Sequence, residues 1–319
     1  MKNFYDKDYV PSTISDTATV DIDLSNPNNI FEYLISKVGY QDDYCKDVAM
    51  ILWKHIRGQR GAYFVSGPSG CGKTYTWETL KSVYPNIVIH DASSISGSGW
   101  SGSNKVTSFA AQLKPGDSDY IVVFDESDKL FTPRYEKNGG NVSADIASEF
   151  LKLVDGMIID VKDKGTYDTS KMTFIFCGSF GKQAEEISKE ESSSGFGFGQ
   201  TAQKKKAYER DLTIQDLIDA GVIRELASRA IKVCHVRPLS EDDYKCLLKD
   251  HSGSPVKVLE KKNDIRLKLS DKFLDKVASN AYRSGLGIRN CGNQIQRLID
   301  DKVFENFRNN GTKPNEISL

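Results

Sequence analysis

The 319-residue chain is 39 % hydrophobic and 27 % charged, with 43 Lys and Arg against 44 Asp and Glu. That composition fits a folded protein large enough for one main domain and a smaller one. It excludes a membrane-spanning helix, because no apolar run approaches twenty residues, and a net charge of −1 argues against a dedicated nucleic-acid binder.

Residues 1–26 are polar and aperiodic and read as a flexible N-terminal extension. Asn26-Pro27 is a helix start signal, and residues 30–57 then carry Leu34, Ile35, Val38, Val48, Ile51, Leu52 and Ile56 at helical spacing. Lys37 to Gln41 interrupts that pattern as a turn. From Gly61 onward, strand and helix patterns alternate. Strands are predicted at 63–66, 87–91, 120–124 and 173–177 and near 231–236, with helical patterns between them, such as Ser143 to Met157. This alternation predicts an α/β fold, a parallel sheet flanked by helices, over residues 27–238. After Pro238 the pattern becomes helical, with a capped start at Ser240 and further helices over 270–283 and 288–307. We read 239–312 as a small all-helical domain and 313–319 as a C-terminal tail.

The strongest motif is Gly67-Pro68-Ser69-Gly70-Cys71-Gly72-Lys73-Thr74, which fits the phosphate-loop pattern G-x-x-x-x-G-K-[ST]. It follows a predicted strand and opens a predicted helix, the context a working loop requires. Its glycines let backbone N–H groups surround phosphate oxygens, and the helix N-terminus adds its positive dipole end. Lys73 is expected at the β/γ-phosphates and the Thr74 hydroxyl at Mg²⁺. A second motif, Tyr120-Ile121-Val122-Val123-Phe124-Asp125-Glu126, is a buried-strand pattern ending in two carboxylates. Such a strand end is where open α/β sheets bind ligands. Asp125 can hold the hydration shell of Mg²⁺, and Glu126 can act as the general base toward water. Together the motifs predict an NTPase using ATP and Mg²⁺. The six cysteines, Cys45, Cys71, Cys177, Cys234, Cys246 and Cys291, form no C-x-x-C pair. They read as reduced thiols in a cytoplasmic protein.

Several further blocks, in order, resemble the Clp/HslU branch of the AAA+ ATPases, most closely the ATPase domain of the ClpX unfoldase. They are Asp91 to Gly102, Asp125-Glu126-Ser127-Asp128-Lys129, Val142 to Gly156, Phe174 to Phe180 and Gly221 to Arg229. The resemblance spans about Ile30 to Phe307 and implies an AAA+ fold with a small helical lid. It also implies a hexameric ring of identical subunits acting on polypeptide substrates. Arg229 would be the arginine finger reaching the nucleotide of the neighbouring subunit. Trp100, within Gly99-Trp100-Ser101-Gly102, would be the pore-loop aromatic that grips the substrate. Ser179 would be sensor 1 and Arg289 sensor 2, although Gly285-Leu286-Gly287 departs from the Gly-Ala-Arg form of that branch. The adenine would pack between Val38–Tyr40 and the lid. Phe196-Gly197-Phe198 stands where the branch carries the loop that docks a ClpP-like peptidase. The alternative function is an AAA+ switch or loader acting on nucleic acid or on a mobile-element complex.

Overall fold

The computed structural model describes residues 21–95, 105–134, 141–180, 211–249 and 251–319. The chain enters through α1 (Pro27–Ile35) and α2 (Asp42–Ile56). The Asn26 side chain accepts the Asn28 N–H at 2.9 Å and Pro27 occupies the first helical turn, so the start predicted from Asn26-Pro27 is a true cap. The end of the N-terminal extension is not loose, which amends the expectation for residues 21–26. The Ser25 carbonyl accepts hydrogen bonds from Trp53 Nε1 at 2.9 Å and Arg57 Nη2 at 3.0 Å, and Ile22 and Leu24 pack on the core.

Five parallel strands follow: β1 (Ala62–Ser66), β2 (Ile87–Asp91), β3 (Ile121–Asp125), then β6 (Thr173–Gly178) and β7 (Ala230–His235). They lie in the order β2-β3-β6-β1-β7. All five strand predictions hold to within a residue or so at each end. The central strands are buried along almost their whole length, which is why they read as unbroken apolar runs. The order matters for function. β6 lies between β1 and β3, so the C-terminal ends of these three strands, and the loops leaving them, are neighbours in space.

The helices that cover the sheet include α3 (Lys73–Leu80), α4 (Asp128–Phe131) and α5 (Val142–Asp155). Alternation along the strands sends Phe64, Phe124, Phe174 and Phe176 to one face, where they meet Phe131 of α4 and Phe150 of α5. The rings stack or meet edge-on: Phe64 and Phe176 have centroids 4.9 Å apart, Phe124 and Phe150 4.8 Å. Each such buried ring contributes about 1.5–3 kcal/mol. The opposite face, with Val65, Val123, Ile175 and Cys177, packs on α1, α2 and Trp77 of α3.

A short antiparallel hairpin, β4 (Ile158–Val161) with β5 (Gly165–Asp168), follows α5. Two short helices, α6 (Ile214–Asp219) and α7 (Arg224–Ala227), precede β7. The C-terminal part carries α8 (Glu241–Lys249), α9 (Pro255–Asn263), α10 (Asp271–Ser284) and α11 (Ile288–Asn310). It also holds one element that helical periodicity does not announce: β8 (Arg266–Lys268) pairs in parallel with β9 (Glu316–Ser318). This amends the expectation of an all-helical segment with a trailing tail. Residues 313–319 fold back, Ile317 is buried, and the Leu319 N–H donates to the Lys268 carbonyl at 2.9 Å. The apolar core of these helices is continuous with that on the α1/α2 face of the sheet.

Candidate active site

The loop leaving β1 is the predicted phosphate loop. Gly72 caps α3 with φ 104°, a left-handed backbone open to glycine, and so directs the first free N–H groups of α3 toward the loop. Lys73 is largely buried. Its ammonium donates to the carbonyls of Gly67 at 2.6 Å and Pro68 at 2.8 Å. Burial pulls its pKa below the ordinary lysine value, against the opposing pull of Asp125 and Asp128. Tyr44 of α2 donates to the Lys73 carbonyl at 3.0 Å and ties α3 to the α2 layer.

The loop leaving β3 brings the predicted acids to the same place. Thr74 Oγ1 donates to Asp125 Oδ2 at 2.7 Å. A hydroxyl and a carboxylate are hard oxygen donors, and a small octahedral cation completed by substrate phosphates and water is what such a pair holds. Among the described residues no group of three or more His, Cys, Asp or Glu forms a metal cage. Glu126 takes φ 57°, an uncommon left-handed conformation for a residue with a side chain. The next residue explains it. Ser127 is fully buried and donates both its N–H, at 2.7 Å, and its hydroxyl, at 2.9 Å, to the Cys177 carbonyl at the end of β6. The chain must turn sharply between Asp125 and Ser127, and Glu126 absorbs the turn. Its carboxylate is half exposed and accepts from Lys129 Nζ at 2.5 Å.

The loop leaving β6 supplies Ser179. Its hydroxyl donates to Asp128 Oδ2 at 2.7 Å, and the Phe180 N–H donates to the same oxygen at 3.3 Å.

These three loops and the C-terminal helices enclose a cavity of about 690 Å³, within the range of small-molecule sites. Gly70 to Thr74, Asp125, Glu126 and Ser179 line its phosphate-loop side. Val38, Gly39, Leu239, Leu247, Leu259 and Arg289 are among the residues that line the other side. The helical layer touches the phosphate loop directly, backbone to backbone. The Ile288 N–H donates to the Gly70 carbonyl at 3.3 Å, and a Cβ added to Gly287 would lie 2.5 Å from Gly70 Cα.

Of the residues singled out in the sequence, the cavity thus gathers Lys73, Thr74, Asp125, Glu126, Ser179, Val38 and Arg289. Tyr40 does not join them. It is 47 % exposed and lies outside the lining, and Gly39 stands beside Val38 instead. Arg229 is also outside the cavity of its own chain. It is half exposed after α7, with Nε 2.7 Å from Asp155 Oδ1 and Nη2 3.2 Å from Asp155 Oδ2. Trp100 and Phe196-Gly197-Phe198 lie outside the described residues. Sequence reasoning missed Asp128 and Lys129 as parts of the site. Their signal was spacing: Glu126 and Lys129 are three apart, so one turn after the acids returns a cation to Glu126.

The family model of the AAA domain (Cdc48 subfamily) matches residues 59–233. The chain is 23 % identical to the ClpX ATP-binding subunit of the ATP-dependent Clp protease of Porphyromonas gingivalis, over 88 % of this chain and 78 % of that protein. It is 26 % identical to a mitochondrial ATP-dependent ClpX-like chaperone of Saccharomyces cerevisiae, over 74 % of this chain and 57 % of the yeast protein.

Proposed function

The chain belongs to the AAA domain family, whose model covers more than half of it, and from that premise we propose that it is a ClpX-like ring unfoldase or remodeller driven by ATP hydrolysis. The observation that carries the ATPase reading is the Thr74–Asp125 hydrogen bond of 2.7 Å beside the phosphate loop, with Glu126 next to it on a strained backbone. Lys73 and the N–H groups at the start of α3 bind the β- and γ-phosphates. Thr74 and Asp125 are the residues that would hold Mg²⁺, which when bound neutralises charge on the phosphate oxygens. Glu126 orients water and takes its proton as general base. Val38, Leu247 and Leu259 offer an apolar surface to the adenine, and Ser179 and Arg289 act as nucleotide sensors from β6 and α11.

Arg229 serves the neighbouring subunit in this reading. Its guanidinium lies outside its own cavity, so it completes a site only in an assembly. An arginine supplied in trans is worth about 10³–10⁵ in rate in other NTPases. A hexamer of identical chains is the assembly the similarity to ClpX suggests, with Mg-ATP and a polypeptide as its partners and the cytoplasm as its compartment. The helices α8–α11 act as a lid that rotates with the nucleotide state, and Trp100 converts that rotation into a push on the polypeptide. Phe196-Gly197-Phe198 docks a ClpP-like peptidase. That partner is supported by the bacterial relative's role as the ATP-binding subunit of a protease.

The test is the solution mass of Glu126→Gln with and without Mg-ATP. Six copies of the 35.6 kDa chain give about 214 kDa, the mass expected with Mg-ATP. A monomer or dimer with nucleotide bound would overturn the ring and, with it, the trans role of Arg229.

A further inference from the structure

We infer that Asp155 is a positioning residue for catalysis in the neighbouring subunit, because it holds Arg229 by one edge and presents the other. The inference rests on the reading of Arg229 as a trans-acting finger. A guanidinium has two edges that can grip an oxyanion with paired N–H groups: the side edge, Nε with one Nη, and the end edge, Nη1 with Nη2. Asp155 takes the side edge, with Nε to Oδ1 at 2.7 Å and Nη2 to Oδ2 at 3.2 Å. Among the described residues, Ser228 Oγ is the remaining partner, 3.5 Å from Nη1 and at the limit of a hydrogen bond. The end edge thus keeps N–H groups for a second anion, and the fork fixes the plane in which they are offered.

Two features show that the pair is not an incidental surface bridge. Asp155 is the last residue of α5, which ends at Gly156 with φ 98°. A carboxylate there faces the negative end of the helix dipole and is disfavoured on its own. A cation near it offsets that; Lys152 stands in the same last turn, and Arg229 is the cation bonded to the carboxylate itself. The two residues also come from elements fixed by the same core: Leu153 of α5 and Leu226 and Ala227 of α7 are fully buried in it. Both ends of the fork therefore sit on rigid supports, while the charged groups themselves are half exposed. An exposed pair of this kind adds little to stability. Its value is orientation: a flexible arginine chain is held in one direction before the neighbour's phosphate arrives, and a misplacement of about 1 Å at a reacting group can cost about 10²-fold in rate.

The experiment is a double-mutant cycle on the assembled, Mg-ATP-loaded protein, with Asp155→Ala, Asp155→Asn, Arg229→Ala and Asp155→Ala/Arg229→Ala. Steady-state ATPase gives kcat and KM, and mass confirms assembly. The expected result is a fall in kcat of about 10- to 100-fold for Asp155→Ala, an unchanged KM, and no further loss when Asp155→Ala is added to Arg229→Ala. Asp155→Asn keeps the size and one acceptor, and is expected to recover part of the rate. If Arg229→Ala is inactive but Asp155→Ala turns over normally, the positioning role is overturned while the finger stands. Additive losses in the double variant would equally overturn it, since Asp155 would then act on something other than Arg229. If Arg229→Ala itself keeps full kcat, the finger reading fails first.

Discussion

Gly287→Ala is the sharpest test of whether the lid and the phosphate loop act as one unit. Gly287 stands before α11 with φ 77° and ψ 178°, a backbone region that is almost exclusive to glycine. Any side chain there costs about 1–3 kcal/mol. The three atoms nearest the added Cβ are all main chain: Gly70 Cα at 2.5 Å, Ser69 O at 2.8 Å and Gly70 C at 3.0 Å. No flexible side chain can give way, so the lid must retreat from the loop. Because the clash exists only with the lid seated, its cost falls on the closed, nucleotide-bound form. The backbone strain falls on both lid states, but overpacking of the kind the clash imposes costs about 1–3 kcal/mol, and at about 1.4 kcal/mol per tenfold that predicts Mg-ATP binding weakened about 5- to 150-fold. The assay is titration with a fluorescent ATP analogue in the non-hydrolysing Glu126→Gln background. Gly285→Ala is the control. Gly285 has φ 66°, and a Cβ added to it would meet nothing within 4 Å, so it incurs backbone strain whether the lid is open or closed. That strain is read in the melting temperature and not in affinity. Equal affinity for Gly287→Ala and the parent protein would refute the coupling.

Glu126→Gln should bind Mg-ATP with near-parental affinity and lose at least about 10²-fold in kcat; normal turnover would remove Glu126 as the base. Asp128→Ala deletes the shared acceptor of Ser179 Oγ and Phe180 N–H, and is expected to lower kcat about 10-fold with little change in nucleotide affinity, since a lost part-buried hydrogen bond costs about 1–1.5 kcal/mol. Trp100→Ala should keep ATPase activity and lose processing of an unfolded reporter protein; loss of both would place Trp100 in the fold and not at the substrate. His55 gives a pH test. It is fully buried, 2.9 Å from Thr173 Oγ1, 3.1 Å from Tyr84 OH and 3.2 Å from Asp119 Oδ1, and Arg60 bridges to the same Asp119. Burial, helped by Arg60, lowers its pKa to about 3, below the value of about 6.5 in the unfolded chain. Its stabilisation is complete above pH 6.5 and is lost as pH falls toward 3. Between pH 7.5 and 5.5 it accounts for about 1.4 kcal/mol of lost stability. Urea unfolding at both pH values should show that part of the slope absent in His55→Gln, and an unchanged slope would refute it.

Most of the sheet was legible because a strand buried on both faces leaves an unambiguous record. Val122, Val123 and Phe124, or Phe174, Ile175 and Phe176, have no solvent face to carry a polar residue. The phosphate loop was legible because glycine spacing and a Lys-Thr pair answer to phosphate geometry alone. The parts that were not legible depend on long-range pairing. β8 and β9 are three residues each and lie about fifty residues apart in sequence, so neither alternation nor length marks them. The β4–β5 hairpin is hidden for a related reason: Ile158 is exposed and the strand Gly165–Asp168 has a single buried residue, Tyr167. Tyr40 was misplaced because spacing puts it next to Val38 and Gly39, whereas its own left-handed backbone, φ 62°, carries it out of the lining that its neighbours share.

The same local backbone chemistry explains why the site is where it is. Five described residues other than glycine have left-handed backbones, and three of them, Tyr40, Glu126 and Phe180, adjoin or belong to the cavity wall. Such conformations cost about 1–3 kcal/mol each and persist only where the surroundings over-determine them. For Glu126 and Phe180 the surroundings are the ends of β3 and β6. Ser127 fastens one loop to the Cys177 carbonyl, and Asp128 fastens the other through Ser179 and Phe180. Both fasteners follow directly on Glu126 in the chain. The ends of β3 and β6 therefore set the direction of Glu126 through two consecutive residues. Repacking Phe124 would reach Glu126 along this route, whereas Phe176 also stacks on Phe64 of β1, the strand from which the phosphate loop hangs.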